Sequence, residues 1–128
     1  MAKILVVDDS SIVRKNLKTA LDQSGIAVLE ADDGVEALEL IRNDPDISLV
    51  LTDVIMPKMG GLDLCAQVRL IPGKKDLGII VVTAEVSRDM VEFAKKNGVL
   101  AWVTKPYSIP KLVTMVKQIM QTTAAEAS

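Results

Sequence analysis

The sequence predicts an α/β fold: a single doubly wound sheet of five parallel strands with helices on both faces. Apolar, β-branched segments alternate five times with segments of helical periodicity, and crossover connections of this kind make the strands parallel. Several strand segments are almost entirely apolar, as expected for strands that are covered on both faces. The length of 128 residues suits one domain, whose folding buries roughly two-thirds of the unfolded surface.

The strand candidates are short runs rich in Val, Ile and Leu, bounded by polar or turn-forming residues. They are, in order, Ile4–Val7, Ala27–Glu30, Ile47–Thr52, Ile79–Val82 and Ala101–Thr104. The first, third and fourth runs are the most apolar, whereas the second and fifth are mixed. We therefore expect the second and fifth strands to lie at the edges of the sheet.

Five helices are predicted where apolar residues recur three and four positions apart. They start at or near Ser11, Asp33, Leu62, Ser87 and Ser108, and the first four end before Gly25, Pro45, Pro72 and Gly98. Glu36 follows Asp33 at the spacing of a capping box. In the fourth helix we expect Met90, Phe93 and Ala94 to face inward, and we expect residues 122–128 to form a short frayed tail.

Composition excludes several classes of function. The net charge is −2, the pI is near 5.1 and there are only three aromatic residues, which argues against direct nucleic-acid binding. No histidine is present, so zinc sites and histidine-base catalysis are disfavoured. The single cysteine, Cys65, is expected to be a buried apolar side chain. The N-terminus has no signal-peptide pattern and no segment has membrane-spanning length, so we expect a cytoplasmic location.

Polar residues follow four of the predicted strands. Asp8 and Asp9 follow the first strand, Asp53 the third, Thr83 the fourth and Lys105 the fifth. Because ligands of open parallel sheets bind at the carboxyl ends of the strands, we expect these side chains to gather at one edge. A hydroxyl and an ammonium are donors suited to a phosphoryl group, and an aspartate is a competent acceptor. Taken singly, a threonine in a strand or a surface lysine is ordinary.

The three aspartates predict a metal site if the first and third strands are neighbours. Carboxylates this close would repel one another unless a cation compensates them. Oxygen ligands without His or Cys select Mg²⁺, Mn²⁺ or Ca²⁺ over zinc or copper. The competing interpretation is that Asp9 caps the helix that begins at Ser11. The loop after Asp53, with Pro57 and the Gly60-Gly61 pair, either presents a backbone carbonyl to a metal or is an ordinary turn.

Four segments together resemble the response-regulator receiver domain, the phosphoacceptor half of bacterial two-component signalling. They are LVVDDS, LTDVIMPKMGGLDL, VVTAE and VTKPY, and the resemblance covers about residues 3–121. It implies a flavodoxin-like topology with strand order 2-1-3-4-5, a receiver domain over residues 1–121 and a tail over 122–128. The closing segment WVTKPYSIPKLV is similar to stand-alone chemotaxis-type members.

The resemblance implies a role for each residue at the sheet edge. Asp53 would accept a phosphoryl group from a partner histidine kinase. Asp9 and Asp53, with the backbone carbonyl of Ile55, would ligate Mg²⁺, and Asp8 would act mainly through water. Mn²⁺ is an expected substitute for Mg²⁺. Thr83 and Lys105 would sense the phosphoryl group.

Three further positions follow from the same resemblance. Trp102 occupies the place of the family's switch aromatic, usually Tyr or Phe; the alternative is an apolar side chain that half-covers an edge strand. Ile55 stands where many members have a polar side chain, and with Glu85 we expect it to tune dephosphorylation. The Lys105–Pro106 bond is a cis-peptide candidate.

The sequence therefore predicts a phosphorylation-activated signalling protein that is not an enzyme, although it assists its own phosphorylation and dephosphorylation. We expect it to stand alone and to act by binding a protein through its fourth helix, fifth strand and fifth helix. Expected partners are a histidine kinase, a flagellar motor or chemotaxis array, and a phosphatase, with no nucleic acid and no membrane. A phosphorelay intermediate or phosphate sink is the alternative. Two other classes of protein fit less well. A flavodoxin-like cofactor binder should have a phosphate-binding first βα turn, which this sequence lacks. An aspartyl-phosphate hydrolase should have an aspartate at the position of Ile55.

Overall fold

The computed structural model describes residues 2–127, with side chains described as far as residue 121. Ten elements alternate along the chain. They are β1 (Lys3–Val7), α1 (Ser11–Gln23), β2 (Ala27–Ala31), α2 (Gly34–Asn43), β3 (Ile47–Thr52), α3 (Gly61–Arg69), β4 (Gly78–Thr83), α4 (Arg88–Lys96), β5 (Ala101–Thr104) and α5 (Ile109–Ala127). All five predicted strands and five predicted helices are confirmed, with boundaries that differ by a residue or two except at the end of α5.

The five strands form one parallel sheet in the order β2-β1-β3-β4-β5, which confirms the expected topology. The order reverses direction between β1 and β3, so the loops that leave these two strands diverge to opposite faces and open a crevice. At the carboxyl edge, Val7 of β1 pairs with Thr52 of β3, and Thr83 of β4 pairs with Thr104 of β5. The residues that follow β1 and β3 therefore start from adjacent positions.

Alternating residues of the central strands feed two hydrophobic clusters, one on each face of the sheet. Leu5, Val50 and Ile79 belong to the cluster that includes residues of α2 and α3. Ile4, Leu51 and Ile80 belong to the cluster that includes residues of α1 and α5. All six side chains are at most 1% exposed. This two-faced burial explains why β1, β3 and β4 read as continuous apolar runs.

Side chains at the helix starts accept backbone hydrogen bonds, as the sequence predicts for Asp33 and Ser87. Asp33 accepts from the N–H of Glu36, and Ser87 accepts from the N–H of Met90. The cap of α1 is Ser10 rather than Asp9, so the interpretation of Asp9 as a helix cap is wrong. A capping role therefore does not account for the second aspartate of the acidic pair.

Two sequence-based expectations differ from the structure. Phe93 is 40% exposed although it was expected to face inward, because the short helix α4 buries only Ala94 fully. The backbone of α5 continues as helix to Ala127, where a frayed tail was expected. Within the described part of the chain, no helix is both long and apolar enough to cross a membrane.

We predict that Ile79→Ala lowers the free energy of unfolding by about 2–5 kcal/mol, because it leaves a cavity in a fully buried strand. Urea denaturation followed by circular dichroism measures this change. The control is Ile12→Ala on the exposed face of α1, where the side chain is 70% exposed and the expected change is within about 0.5 kcal/mol. Equal losses from both substitutions would contradict the assigned core.

Candidate phosphoacceptor site

The carboxyl ends of four strands carry the polar residues predicted from the sequence. Asp8 follows β1, Asp53 follows β3, Thr83 ends β4 and Lys105 follows β5. Asp8 and Thr83 are buried, at 4% and 1% exposure. Burial of polar groups is costly unless they are paired, and every buried side-chain nitrogen or oxygen among the described residues has a hydrogen-bond partner.

The ammonium of Lys105 joins the two carboxylates at the centre of the site. Its Nζ lies 2.9 Å from Oδ2 of Asp8 and 2.8 Å from Oδ2 of Asp53. The side chains of Asp8 and Asp53 are only 5% and 12% exposed, so solvent does little to screen the charges. Burial lowers the pKa of Lys105, but hydrogen bonds to Asp53 and Asp8 outweigh this effect and raise the pKa above its ordinary value.

The second oxygen of Asp53 is held by the loop that follows it. Oδ1 accepts the backbone N–H of Val54 at 2.6 Å and that of Ile55 at 3.3 Å. Burial raises the pKa of Asp53, yet hydrogen bonds from Lys105 and Thr83 outweigh it and bring the pKa below the ordinary value for aspartate. The carboxylate is therefore ionised, fixed in orientation and partly shielded from water.

Thr83 connects Asp53 to the loop after β4. Its hydroxyl contributes to the low pKa of Asp53 and accepts the backbone N–H of Glu85 at 3.3 Å. Any movement of this hydroxyl therefore also changes a hydrogen bond that shapes the start of the β4–α4 loop.

Arg14 is a cation near the site that was missed in the sequence. Its guanidinium donates to the backbone carbonyl of Asp8 and also lies 3.3 Å from Oε1 of Glu30. Oδ1 of Asp8 in turn accepts the N–H of Ser10 at 2.9 Å. An arginine one helical turn after the acidic pair carries no local signal of this role, because its partners lie in β2 and in the backbone.

Asp9 differs from the other two aspartates because its side chain is exposed. Among the residues that the structure describes, no three acidic, histidine or cysteine side chains are grouped so as to hold a metal ion. The chemistry of the donors nevertheless fits Mg²⁺. Two nearly buried carboxylates meet at one ammonium, and carboxylate oxygens are ligands that Mg²⁺ prefers. The metal site predicted from Asp8, Asp9, Asp53 and the carbonyl of Ile55 stays a prediction.

The loop between β3 and α3 depends on its two adjacent glycines. A Cβ on Gly60 would lie 2.5 Å from the carbonyl oxygen of Val54, and a Cβ on Gly61 would collide with the carbonyl oxygen of Asp53. The N–H of Gly61 donates to the same Val54 carbonyl at 3.0 Å. The Gly60-Gly61 pair thus lets the backbone close tightly behind Asp53.

Comparison with known proteins identifies the family. The family model described as "Response regulator receiver domain" matches residues 4–117. The chain belongs to this family. It is 38% identical over 127 residues to the chemotaxis protein CheY homolog of Campylobacter jejuni, covering 98% of both chains. It is 39% identical over 121 residues to the chemotaxis protein CheY1 of Helicobacter pylori, covering 94% of this chain and 98% of the relative.

Solved structures agree with the sequence relatives. The Vibrio cholerae chemotaxis protein CheY4 superimposes with a TM-score of 0.85 at 31% identity, covering 92% of this chain and 98% of the other. A CheY-like receiver domain protein from Methanospirillum hungatei gives a TM-score of 0.88 at 29% identity and covers 98% of both. This receiver domain is therefore similar to chemotaxis response regulators in both sequence and fold.

Trp102 of this receiver domain is half-buried and hydrogen-bonded. Its indole N–H donates to the backbone carbonyl of Glu85 at 3.1 Å. Glu85 also donates its own N–H to Thr83. The backbone of Glu85 therefore links the indole to the hydroxyl of Thr83. Neither of the sequence-based interpretations of Trp102 included this connection.

The remaining predicted residues lie in the loops that follow β3, β4 and β5. Ile55 is 58% exposed and the side chain of Glu85 is exposed as well, so neither is part of the buried ion group. The Lys105–Pro106 peptide bond is cis, as the resemblance implied.

We predict that Lys105→Met raises the pKa of Asp53, because burial then acts without the compensating ammonium. Titration of the carboxyl carbon by NMR measures the shift. In the native protein this low pKa stabilises the fold above the pKa of an unfolded aspartate, and the contribution is lost as the pH falls through the lower folded value. Lys105→Met should therefore weaken the pH dependence of stability in the acid range.

Lys3→Met is the matched control for this substitution. Lys3 pairs with Asp44 at 2.8 Å at the opposite edge of the sheet, and its hydrogen bond is the main cause of the low pKa of Asp44. The control should raise the pKa of Asp44 and leave that of Asp53 unchanged. A pKa of Asp53 that does not respond to Lys105→Met would contradict the ion group described above.

Proposed function

We propose that this receiver domain is switched by phosphorylation and that Asp53 is the residue that takes the phosphoryl group. The observation that carries the proposal is the setting of its carboxylate at the switch-point edge of the sheet. One oxygen contacts Lys105 and the other is held by backbone N–H groups. This fixed, ionised oxygen nucleophile lies beside a cation and a hydroxyl, the groups that a transferred phosphoryl group needs.

In the proposed reaction, an oxygen of Asp53 bonds to the phosphorus of a phosphohistidine, and the bond from phosphorus to the imidazole nitrogen breaks. The electron pair of that bond returns to the imidazole of the donor. Because this chain has no histidine, the donor is a partner protein, a histidine kinase. Phosphoryl transfer depends mainly on positioning and charge neutralisation, both of which Lys105 supplies here.

Mg²⁺ is the proposed cofactor, with Mn²⁺ as a substitute. Asp9, Asp53 and the backbone carbonyl of Ile55 would hold it, and Asp8 would act through water. When bound, the ion supplies charge neutralisation for the phosphoryl oxygens. The low pKa of Asp53 supports the assignment because the ligand must be ionised to bind a metal.

The proposed output runs through Thr83, Glu85 and Trp102. When Thr83 turns toward the phosphoryl group, it gives up or weakens its hydrogen bond with the Glu85 backbone, which also holds the indole. Trp102 lines a groove of about 240 Å³ between α4 and β5. A shift of the indole therefore changes the surface that a target protein would meet.

Chemotaxis is the pathway we propose. The support is that this chain covers 98% of the length of two relatives that are named as chemotaxis proteins. The proposed partners are accordingly a histidine kinase, a phosphatase and a target in the flagellar motor or chemotaxis array. The sensor histidine kinase CheAY of Helicobacter pylori also matches this chain at 37% identity, over 14% of its own length.

We predict that Asp53→Asn abolishes the response to phosphorylation. With Mg²⁺ present, beryllofluoride, a mimic of a phosphorylated aspartate, should change Trp102 fluorescence in the native protein and leave the variant unchanged. The matched control is Asp63→Asn, which removes an exposed carboxylate from the first turn of α3. Retention of the full response by Asp53→Asn would remove Asp53 from its proposed role.

We further predict that Ile55→Asn shortens the lifetime of the phosphorylated form. An amide at this exposed position can hydrogen-bond an attacking water, which the apolar side chain of Ile55 cannot do. The expected acceleration is about tenfold, equivalent to ~1.4 kcal/mol in the barrier. Loss of labelled phosphate from the isolated protein measures it, with Ile55→Leu as the control. An unchanged rate in Ile55→Asn would show that this position does not control access of water.

A further inference from the structure

The loop that carries Ile55 is attached to a helix that contributes no residue to the proposed site. At one side, the Val54 carbonyl accepts the N–H of Gly61 and closes the loop at 3.0 Å. At the other side, the carbonyl of Met59 accepts the N–H of Gly34 at 2.9 Å. Gly34 is the first residue of α2, and the first N–H groups of a helix have no partner within it. The loop therefore supplies a hydrogen-bond acceptor for an N–H group of α2 that has no partner within the helix.

Glycine is required at position 34 for this attachment. A Cβ there would lie 2.7 Å from both the carbonyl oxygen and Cγ of Met59. Contacts this short force one of the two segments to move, and the backbone carbonyl is one of the colliding atoms. Gly34 is itself buried, so the added methyl group has no solvent side to occupy.

A second contact joins the same two segments. Nζ of Lys58 lies 3.6 Å from Oδ2 of Asp33, the cap of α2, whose side chain is only 6% exposed. Among the described residues, Lys58 is the only non-glycine residue with a positive φ, at 65°. A side chain disfavours this backbone region, so the surroundings must hold it. Met56 and Met59 also pack against the cluster beneath α2 and α3.

We infer that the N-terminus of α2 is the support that positions the backbone carbonyl of Ile55 for the metal. The inference rests on the proposed function, which assigns that carbonyl to Mg²⁺. Ile55 lies within a short loop that is closed by Gly61 and docked through Met59, so displacement of Met59 displaces the carbonyl. Mg²⁺ demands near-ideal octahedral geometry and tolerates such displacement poorly. Gly34 is thus a positioning residue that acts through Met59.

The substitution Gly34→Ala tests this inference. We expect the folded variant to bind Mg²⁺ about tenfold more weakly, which is the scale of losses caused by residues that orient metal ligands. Isothermal titration calorimetry measures the affinity without any phosphodonor, and thermal unfolding shows that the variant is folded. Native Mg²⁺ affinity in folded Gly34→Ala overturns the inference.

Gly73→Ala is the matched control. Gly73 has a positive φ, at 83°, which Gly34 does not have, and it lies in the α3–β4 loop with open space around it. Alanine there strains the backbone and lowers stability without touching the β3–α3 loop. Its Mg²⁺ affinity should equal that of the native protein, and an equal loss in both variants would overturn the inference by making the effect a general one.

A measurement on the native protein decides the question even if Gly34→Ala does not fold. Coupling between two sites is reciprocal, so Mg²⁺ binding should slow hydrogen exchange at the Gly34 amide. Exchange measured by NMR with and without Mg²⁺ shows this directly. Binding without a change at Gly34 overturns the inference alone. No Mg²⁺ binding by the native protein overturns the metal assignment in the proposed function, and the inference with it.

Discussion

The site depends on one ammonium that compensates two carboxylates. Asp8 and Asp53 follow adjacent strands, and their side chains are largely shielded from solvent. Lys105, which follows β5, contacts both of them. Because β4 lies between β3 and β5, Lys105 and Asp53 start about 10 Å apart, two strand spacings, and the lysine side chain, the hydrogen bond and the aspartate side chain together bridge this gap. Removing the ammonium would leave two buried charges facing each other, a much less favourable state than the paired one. The order of the strands in the sheet therefore sets which charged groups can meet at the site.

Three different supports surround this ion group. The two hydrophobic clusters hold the strands from both faces, so the strand ends cannot shift separately. The β3–α3 loop rests on the N-terminus of α2 through Gly34. The β4–α4 loop is instead joined to β5 by the hydrogen bond between Glu85 and Trp102, beside a helix that buries only Ala94 fully. The first two supports are well packed, whereas the third lies beside a poorly buried helix and suits a moving part.

Much of this architecture is predictable from the sequence because its signals are local. Apolar runs, the Asp33 and Ser87 caps and the glycine after α1 each act within a few residues, and all are confirmed. Phe93 was placed wrongly because periodicity shows which residues share a helix face but not how deeply that face is packed. The polar residues were likewise placed at strand ends because the end of an apolar run is visible in neighbouring residues.

The strands, the residue types at their carboxyl ends and the family of the chain can all be predicted from the amino-acid sequence. Which groups meet is set by folding. Lys105 pairs with residues 97 and 52 positions away, and Trp102 bonds to a carbonyl 17 positions away. Folding also distinguishes the two adjacent aspartates: Asp8 is buried and pairs with Lys105, whereas Asp9 is exposed. The physical reason is that burial and charge compensation arise between elements brought together by folding, and no local pattern encodes them.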